Sequence, residues 1–237
     1  MVQPFRSGQD YCSSVWPGLM ISYRDDHLLV KGTGQLECIS SAVYNGGLRM
    51  ADHWVNWRVP LSYQCSDPVS DVLEQLGHWE YPADTTIGLI TAAKLTHAAI
   101  AEQHGDHFRI VCCSTSGTRN AARAGLARPV FSAYPAVGTI NTMVFVDGRM
   151  SHSAMVNALI TAAEAKAAAL SDLGIQDLVT GSIATGTTTD ALMIGVSQSE
   201  NFQEIHRYAG AATTIGNIIG KVVYDSVYMA TVTQHES

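Results

Sequence analysis

Residues 139–175 read TINTMVFVDGRMSHSAMVNALITAAEAKAAALSDLGI, and they decide the fold. Positions 139–146 are dense in apolar and β-branched side chains and predict a strand, which Asp147 and Gly148 end as a turn. From about Ser151 to Leu173 the composition turns alanine-rich. Alanine is the best helix former and is small enough to let a helix lie close to a sheet. Ser151 or Ser153 is placed to cap this helix, and Gly174 follows as a stop. Downstream, 178–184 and 191–196 read as two strands flanking the polar run 185–190. A last helix begins near Ala209 or Thr214 and runs to Tyr228, with Ile215, Ile218, Ile219, Val222 and Val223 as its apolar stripe. The succession predicts an α/β or α+β fold, a single layered domain over residues 1–237 with a mixed β-sheet and packed helices.

Upstream, 28–30 and 36–42 predict a hairpin around Gly32, Thr33 and Gly34. Asn45, Gly46 and Gly47 force a sharp turn. Residues 53–66 hold Trp54 and Trp57 without a clear period and are expected to be semi-irregular. A short helix is expected over 68–76, capped by Asp67 ahead of Pro68. A helical pattern runs from Leu95 toward Gln103. Residues 108–114 are β-rich, and 120–125 suggest a helical turn.

Of the 237 residues, 46% are apolar and only 15% charged, so extensive disorder is not expected. The low charge also suits a buried subunit interface, hence a possible homo-oligomer. A formal charge of −7 argues against nucleic acid, because an acidic chain gains nothing from counterion release. No apolar stretch approaches the ~18–20 residues of a membrane span. The first ten residues do not read as a secretory signal, and five irregularly spaced cysteines fit a reducing, cytoplasmic setting. The adjacent pair Cys112 and Cys113 would face opposite sides of a strand, as buried structural cysteines rather than a catalytic thiol.

Four segments carry candidate chemistry. On the alanine-rich helix, Ser153, Asn157, Thr161 and Glu164 stack on one face. That face is either a solvated stripe or one bearing a working carboxylate, and Glu164 would need burial to serve as a general base. Lys166 lies roughly opposite Glu164 and is not its local partner. The run Thr185, Gly186, Thr187, Thr188, Thr189 and Asp190 offers backbone N–H groups and hydroxyls that could meet an oxyanion, or is a plain hairpin turn. Ser114, Ser116 and Thr118 close a strand ahead of Arg119, Asn120 and Arg123, which could meet an anionic group or simply form a solvated loop. The Asn45 turn, preceded by Ser40, Ser41 and Tyr44, permits close backbone approach to a ligand, or is only a turn.

Standard hydrolase, Walker and zinc signatures are absent. His104, Asp106 and His107 form a polar turn better explained as surface than as a zinc site, and no metal is expected. Among the remaining histidines, His152 and His206 adjoin the segments above.

Several blocks, in order from about residue 36 to 227, resemble the CbiZ-type adenosylcobinamide amidohydrolase family. They are 40–47, 88–93, 116–125, 138–141 (opening at Gly138), 157–170, 184–191 and 208–210. The Trp-rich segment 53–64 and both termini lie outside the resemblance. It implies hydrolysis of the aminopropanol amide of adenosylcobinamide to adenosylcobyric acid in cobamide salvage. The cobalt-containing corrinoid would be substrate, with no permanently bound cofactor. On that basis Glu164 or a nearby hydroxyl activates water. The 185–190 loop, with Thr187, Thr188 and Asp190, and Asn141 stabilise the oxyanion. Ser41, Asn45, Gly46, Gly47, Ser116, Asn120, Arg123, Asn157, Thr185 and Gly186 hold the corrinoid. A covalent route through Thr187 or Ser116 stays open. The rival readings are a non-catalytic corrinoid-binding protein and an amidase or threonine-type hydrolase of another substrate class.

Overall fold

A computed structural model describes residues 1–130 and 139–236. Its centre is β9 (Ile140–Asp147), buried at all eight positions. It lies between β7 (Phe108–Ser116), antiparallel to it, and β11 (Ala191–Val196), parallel to it. A parallel neighbour cannot be reached by a tight turn, so the chain crosses over through α2 (His152–Asp172), the expected alanine-rich helix. Ser151 Oγ caps α2 by accepting from Ala154 N at 3.2 Å. Gly174, at φ +65°, takes the left-handed turn that ends it. The last helix, α3 (Thr214–Val232), is capped by Thr213 Oγ1, which accepts from Gly216 N at 3.0 Å.

The rest of the sheet is built by β1 (Asp10–Cys12), β2 (Met20–Arg24), β3 (His27–Ser40), β4 (Gly47–Arg58), β5 (Thr86–Thr91) and β6 (Ala99–Gly105). Its path runs β1-β2-β3-β11-β9-β7-β6, while β4 pairs with both β3 and β5. The first half of β3 therefore lies between β2 and β4, and its second half between β4 and β11. The sheet curls over at this crossing. Three layers follow. On one face of the central strands, Ile110, Val144, Val146 and Ile194 pack against Ala154, Ala158, Ala162 of α2 and Ile219, Val223 of α3. On the other, Val111, Met143 and Phe145 meet Leu28, Val30, Trp54 and Leu89 of the curled half. The Trp54 and Phe145 rings stand edge to face, centroids 5.1 Å apart. A short helix, α1 (Pro68–His78), covers the outside with Val72 and Leu76, its start capped by Asp67 through Ser70 N.

The mixed sheet and packed helices agree with the sequence reading; five local expectations do not. Residues 28–42 are not a hairpin, because β4 runs along both halves of β3 and the break between Lys31 and Leu36 is absorbed as a register shift. Of 53–66, the first six residues are the end of β4 and only 59–66 are irregular; a strand buried on both faces loses its alternation. Leu95–His97 is a single 3₁₀ turn leading into β6, because a continuous apolar run does not distinguish strand from helix. Asn120–Gly125 and 178–184 are loops apart from short bridges, with Leu178 and Val179 exposed. Cys112 and Cys113 are free, buried and on opposite faces, as expected. Burial pushes the Cys112 thiol up to about 11 and Cys113 higher, so neither is a ready thiolate. Among the described residues no helix is long and apolar enough to cross a membrane.

His27 sits in the aromatic wall of the curled half, 3.9 Å between ring centroids from Trp79 and 3.0 Å from the Tyr81 hydroxyl. Burial holds its pKa below the ordinary 6.5, and does the same for His97. The unfolded chain therefore takes up protons first on acidification. The stability these neutral rings allow is present above about pH 6.5 and is lost as pH falls below it. Urea unfolding should show a lower midpoint at about pH 5.5 than at about pH 7. A wild-type shift that survives intact in His27→Phe would exclude this ring as a source.

Candidate active site

Three of the four candidate segments meet: the 114–125 run, the 185–190 run and the α2 stripe at Glu164. Residues Ala121–Ala122 (β8) pair antiparallel with Gly186–Thr187 (β10) in a two-stranded ribbon beside α2. The ribbon is stitched at both ends. Thr185 N donates to Ala122 O at 3.0 Å and Thr188 N to Asn120 O at 3.2 Å. Asn120 Nδ2 donates to the hydroxyls of Thr188 at 2.6 Å and Thr189 at 3.2 Å. Arg123 is fixed through Nη1 to Ile183 O at 2.9 Å, and its backbone N–H donates to the buried Asp177 carboxylate at 3.0 Å. That N–H is the main reason the Asp177 carboxyl is held below the usual range, with the Val179 N–H, Thr180 hydroxyl and Arg128 assisting.

Between this ribbon and α2 lies a cavity of about 960 Å³, at the upper end for a small-molecule site. One wall is Ile160, Ala163 and Ala167 of α2; the other is the 185–190 loop, with Arg123 and Arg128 at the rim. At its base Lys166 reaches across to Asp190, the two side chains only 9% and 11% exposed. Asp190 gathers donors from every side. Lys166 Nζ and Thr187 N (3.0 Å) meet Oδ2; Thr187 Oγ1 and Ile140 N (3.0 Å) meet Oδ1. A buried carboxylate without such partners would be costly; here the charge is balanced and the lone pairs are filled.

Glu164 also lines the cavity, but it is exposed, without the burial a general base would need. Of the two readings of that stripe, the solvated one holds at Glu164, because the phase of α2 buries Ala162, Lys166, Ala169 and Leu170 instead. Lys166 is buried and Glu164 exposed, so the two are not partners, as expected. A lysine four residues from Ala162 and three before Ala169 belongs to the buried stripe, and a buried ammonium needs an anion. The 185–190 loop is not an array of vacant N–H groups either: Thr185, Thr187, Thr188 and Thr189 all donate within the ribbon or to its side chains.

The other candidates do not line the cavity. Asn141 lies inside, its Nδ2 donating to Asn56 Oδ1 at 2.8 Å and Ile90 O at 3.0 Å, its Oδ1 accepting from Thr139 Oγ1. Ser116 Oγ is paired with Thr231 Oγ1 at 2.7 Å in the core. Asn157 Oδ1 accepts from Ala209 N at 2.9 Å, and Thr161 Oγ1 donates to Ala209 O, so these two clamp the entry to α3. Asn45 Nδ2 ties the turn to Ala83 O and Thr86 O, while Gly47 (φ +84°) starts β4. Gly46 has no room for a side chain against Ala42. Ser41 Oγ accepts from Leu192 N at 3.1 Å. Their polarity serves the fold's own backbone. Gly138, from the motif block ahead of β9, lies outside the described residues. Asp106 and His107 form the turn between β6 and β7, with His104 in the end of β6, and among the described residues no three His, Cys, Asp or Glu side chains gather as metal ligands.

Residues 16–237 match the family model described as CbiZ, adenosylcobinamide amidohydrolase. The chain is 28% identical over 211 residues to the adenosylcobinamide amidohydrolase of Methanosarcina mazei, covering 86% of this chain and 93% of that one. It is 30% identical over 163 residues to the uncharacterized protein MJ1613 of Methanocaldococcus jannaschii, covering 62% of each. Among solved structures it resembles the PH0078 protein of Pyrococcus horikoshii OT3 (TM-score 0.47, 9% identity, 94% and 80% covered). A Burkholderia sp. beta-aminopeptidase is similar at TM-score 0.44 and 9% identity, with 89% and 78% covered.

Proposed function

The chain belongs to the adenosylcobinamide amidohydrolase family and is an amidohydrolase; from that premise we propose that its cavity beside α2 hydrolyses the aminopropanol amide of adenosylcobinamide. The products are adenosylcobyric acid and aminopropanol. The observation that carries the reading is the buried Lys166–Asp190 pair at the base of a cavity otherwise walled by alanines, threonines and the ribbon backbone. Amide hydrolysis needs a hydroxyl or water next to a proton acceptor, and hydrogen-bond donors or a cation for the negative charge that develops on the carbonyl oxygen. Thr187, Asp190 and Lys166 supply those three functions within one network. The apolar wall of Ile160, Ala163 and Ala167 suits the face of a flat macrocycle, and Arg123 and Arg128 suit polar groups at its edge.

The test is incubation of the purified protein with adenosylcobinamide, followed by chromatography of the corrinoid and assay of free aminopropanol. Stoichiometric formation of the two products supports the assignment. Intact substrate after prolonged incubation with bound protein overturns it. Glu164→Gln is expected to leave kcat within about threefold of wild type. Its exposed carboxylate is not among the partners of the Lys166–Asp190–Thr187 network, and a threefold change in kcat is only about 0.7 kcal/mol of barrier. Steady-state rates decide this, and a hundredfold loss would restore Glu164 as a participant in the chemistry.

A further inference from the structure

We propose that Thr187 is a covalent nucleophile and that the enzyme works through a threonyl ester, a deepening that rests on the amidohydrolase reading above. The cavity offers several hydroxyls, but their bonds differ. Thr185 Oγ1 accepts from Ala124 N, and the Thr188 and Thr189 hydroxyls accept from Asn120; these bonds hold the ribbon together. Thr187 Oγ1 accepts only a long bond, from Thr189 N at 3.4 Å, and donates its proton to Asp190 Oδ1, while Thr187 N donates to Oδ2 of the same carboxylate. Residue 187 is therefore gripped at two points, and its β-branched side chain has little rotamer freedom left. An alcohol whose proton already points at a carboxylate, with its oxygen bordering the substrate cavity, has the arrangement of an activated nucleophile.

The charges also balance at each step. Thr187 Oγ bonds to the amide carbon, its proton passes to Asp190, and the carbonyl π pair moves onto oxygen. Negative charge thereby leaves Asp190 and appears on the oxyanion, with the same Lys166 ammonium beside both, so charge is relocated and not newly created in a dry site. The oxyanion pair then re-forms the carbonyl as the C–N bond breaks. The C–N electron pair takes the proton from Asp190, and aminopropanol departs, leaving the corrinoid acyl group on Thr187. Water adds to the ester carbon and gives a proton to Asp190. The C–Oγ bond breaks, Oγ recovers that proton, and the acid is released. The sum is amide plus water to acid plus amine.

The experiment combines trapping with two substitutions. Wild-type protein turning over adenosylcobinamide is quenched in acid, its intact mass measured and its peptides mapped; the expected result is a corrinoid-acid adduct, less one water, on the peptide containing Thr187. Hydroxylamine in the reaction should divert product to the hydroxamate. Thr187→Ser should keep the adduct and measurable turnover, whereas the isosteric Thr187→Val should lose about 10³-fold or more in kcat. Product formed without adduct or hydroxamate, or Thr187→Val within tenfold of wild type, assigns the attack to water and overturns the ester while the amidohydrolase assignment stands. If Thr187→Val fails to fold, the adduct and hydroxamate measurements on wild type decide alone. Absence of any product from wild-type protein removes both readings.

Discussion

Lys166→Met should lose about 10³-fold or more in kcat and about 3–5 kcal/mol of stability. The two losses have different origins. Stability falls because Asp190, 11% exposed, keeps its charge environment but loses its counter-ion. Breaking one side of a buried pair is far more costly than never having had the pair. Activity falls because the cation that faces the developing oxyanion is gone. A double substitution separates the two. In Lys166→Met/Asp190→Asn no charge is left alone, and the asparagine oxygen still accepts from Ile140 N or Thr187 N. It should regain about half or more of the lost stability, while activity stays absent. Chemical unfolding and turnover, measured on both variants, check this. Turnover of Lys166→Met within tenfold of wild type would remove the ammonium from the chemistry.

This contrast shows why part of the site was hidden in the sequence. The helix that carries Lys166 could be read to within a residue at its start, because Ser151, the alanine content and Gly174 are each local signals. The ion pair was not, because its partner lies 24 residues on, beyond a crossover. What the sequence did hold was phase: Ala162, Lys166, Ala169 and Leu170 share the buried side of α2, and a lysine there asks for an anion. The stripe through Ser153 and Glu164 reaches the cavity only at the exposed Glu164, while Asn157 and Thr161 are bonded to Ala209. The ribbon is a different case. Two-residue strands have no periodicity, so neither the 120–125 nor the 185–190 run announces that it pairs with the other.

Three of the site candidates lie away from the cavity for a related reason. Asn45, Asn141 and Asn157 are polar residues next to glycines or in apolar settings, which is what a ligand site looks like in one dimension. It is also what a sharply turned chain needs to satisfy its own backbone. Each of these side chains spends its amide on the fold: Asn45 on two carbonyls, Asn157 on Ala209 N, and Asn141 on Ile90 O and the Asn56 side chain. Composition cannot separate the two uses. The Trp-rich stretch 53–64 lies outside the sequence resemblance but inside the matched family region 16–237; its residues 53–58 end β4, which carries Trp54 into the core and pairs with both β3 and β5.

Gly186→Ala should lower kcat/KM about 10²-fold while costing stability only about 1–3 kcal/mol, less than Lys166→Met because no charge is orphaned. Gly186 is buried where β10 crosses the ion pair. A Cβ there would overlap Asp190 Oδ2 and stand 2.7 Å from Lys166 Nζ. Such overlap is mild when the neighbour is a free side-chain end, but neither end is free here. Asp190 is held by Ile140 N and by both donors of Thr187, and Lys166 is held by burial along α2. Either the carboxylate rotates away from the Thr187 hydroxyl, or the ribbon lifts from α2 and takes Thr187 with it. Both displace the hydroxyl from its proton acceptor by a fraction of an ångström to an ångström, enough to spoil attack geometry without unfolding the domain. Substrate binding, followed by the change in corrinoid absorbance, should weaken much less than kcat falls, since the apolar wall of Ile160, Ala163 and Ala167 is untouched. Wild-type turnover in Gly186→Ala would mean that Thr187 and Asp190 need not stay in register, and the proton transfer between them would lose its structural basis.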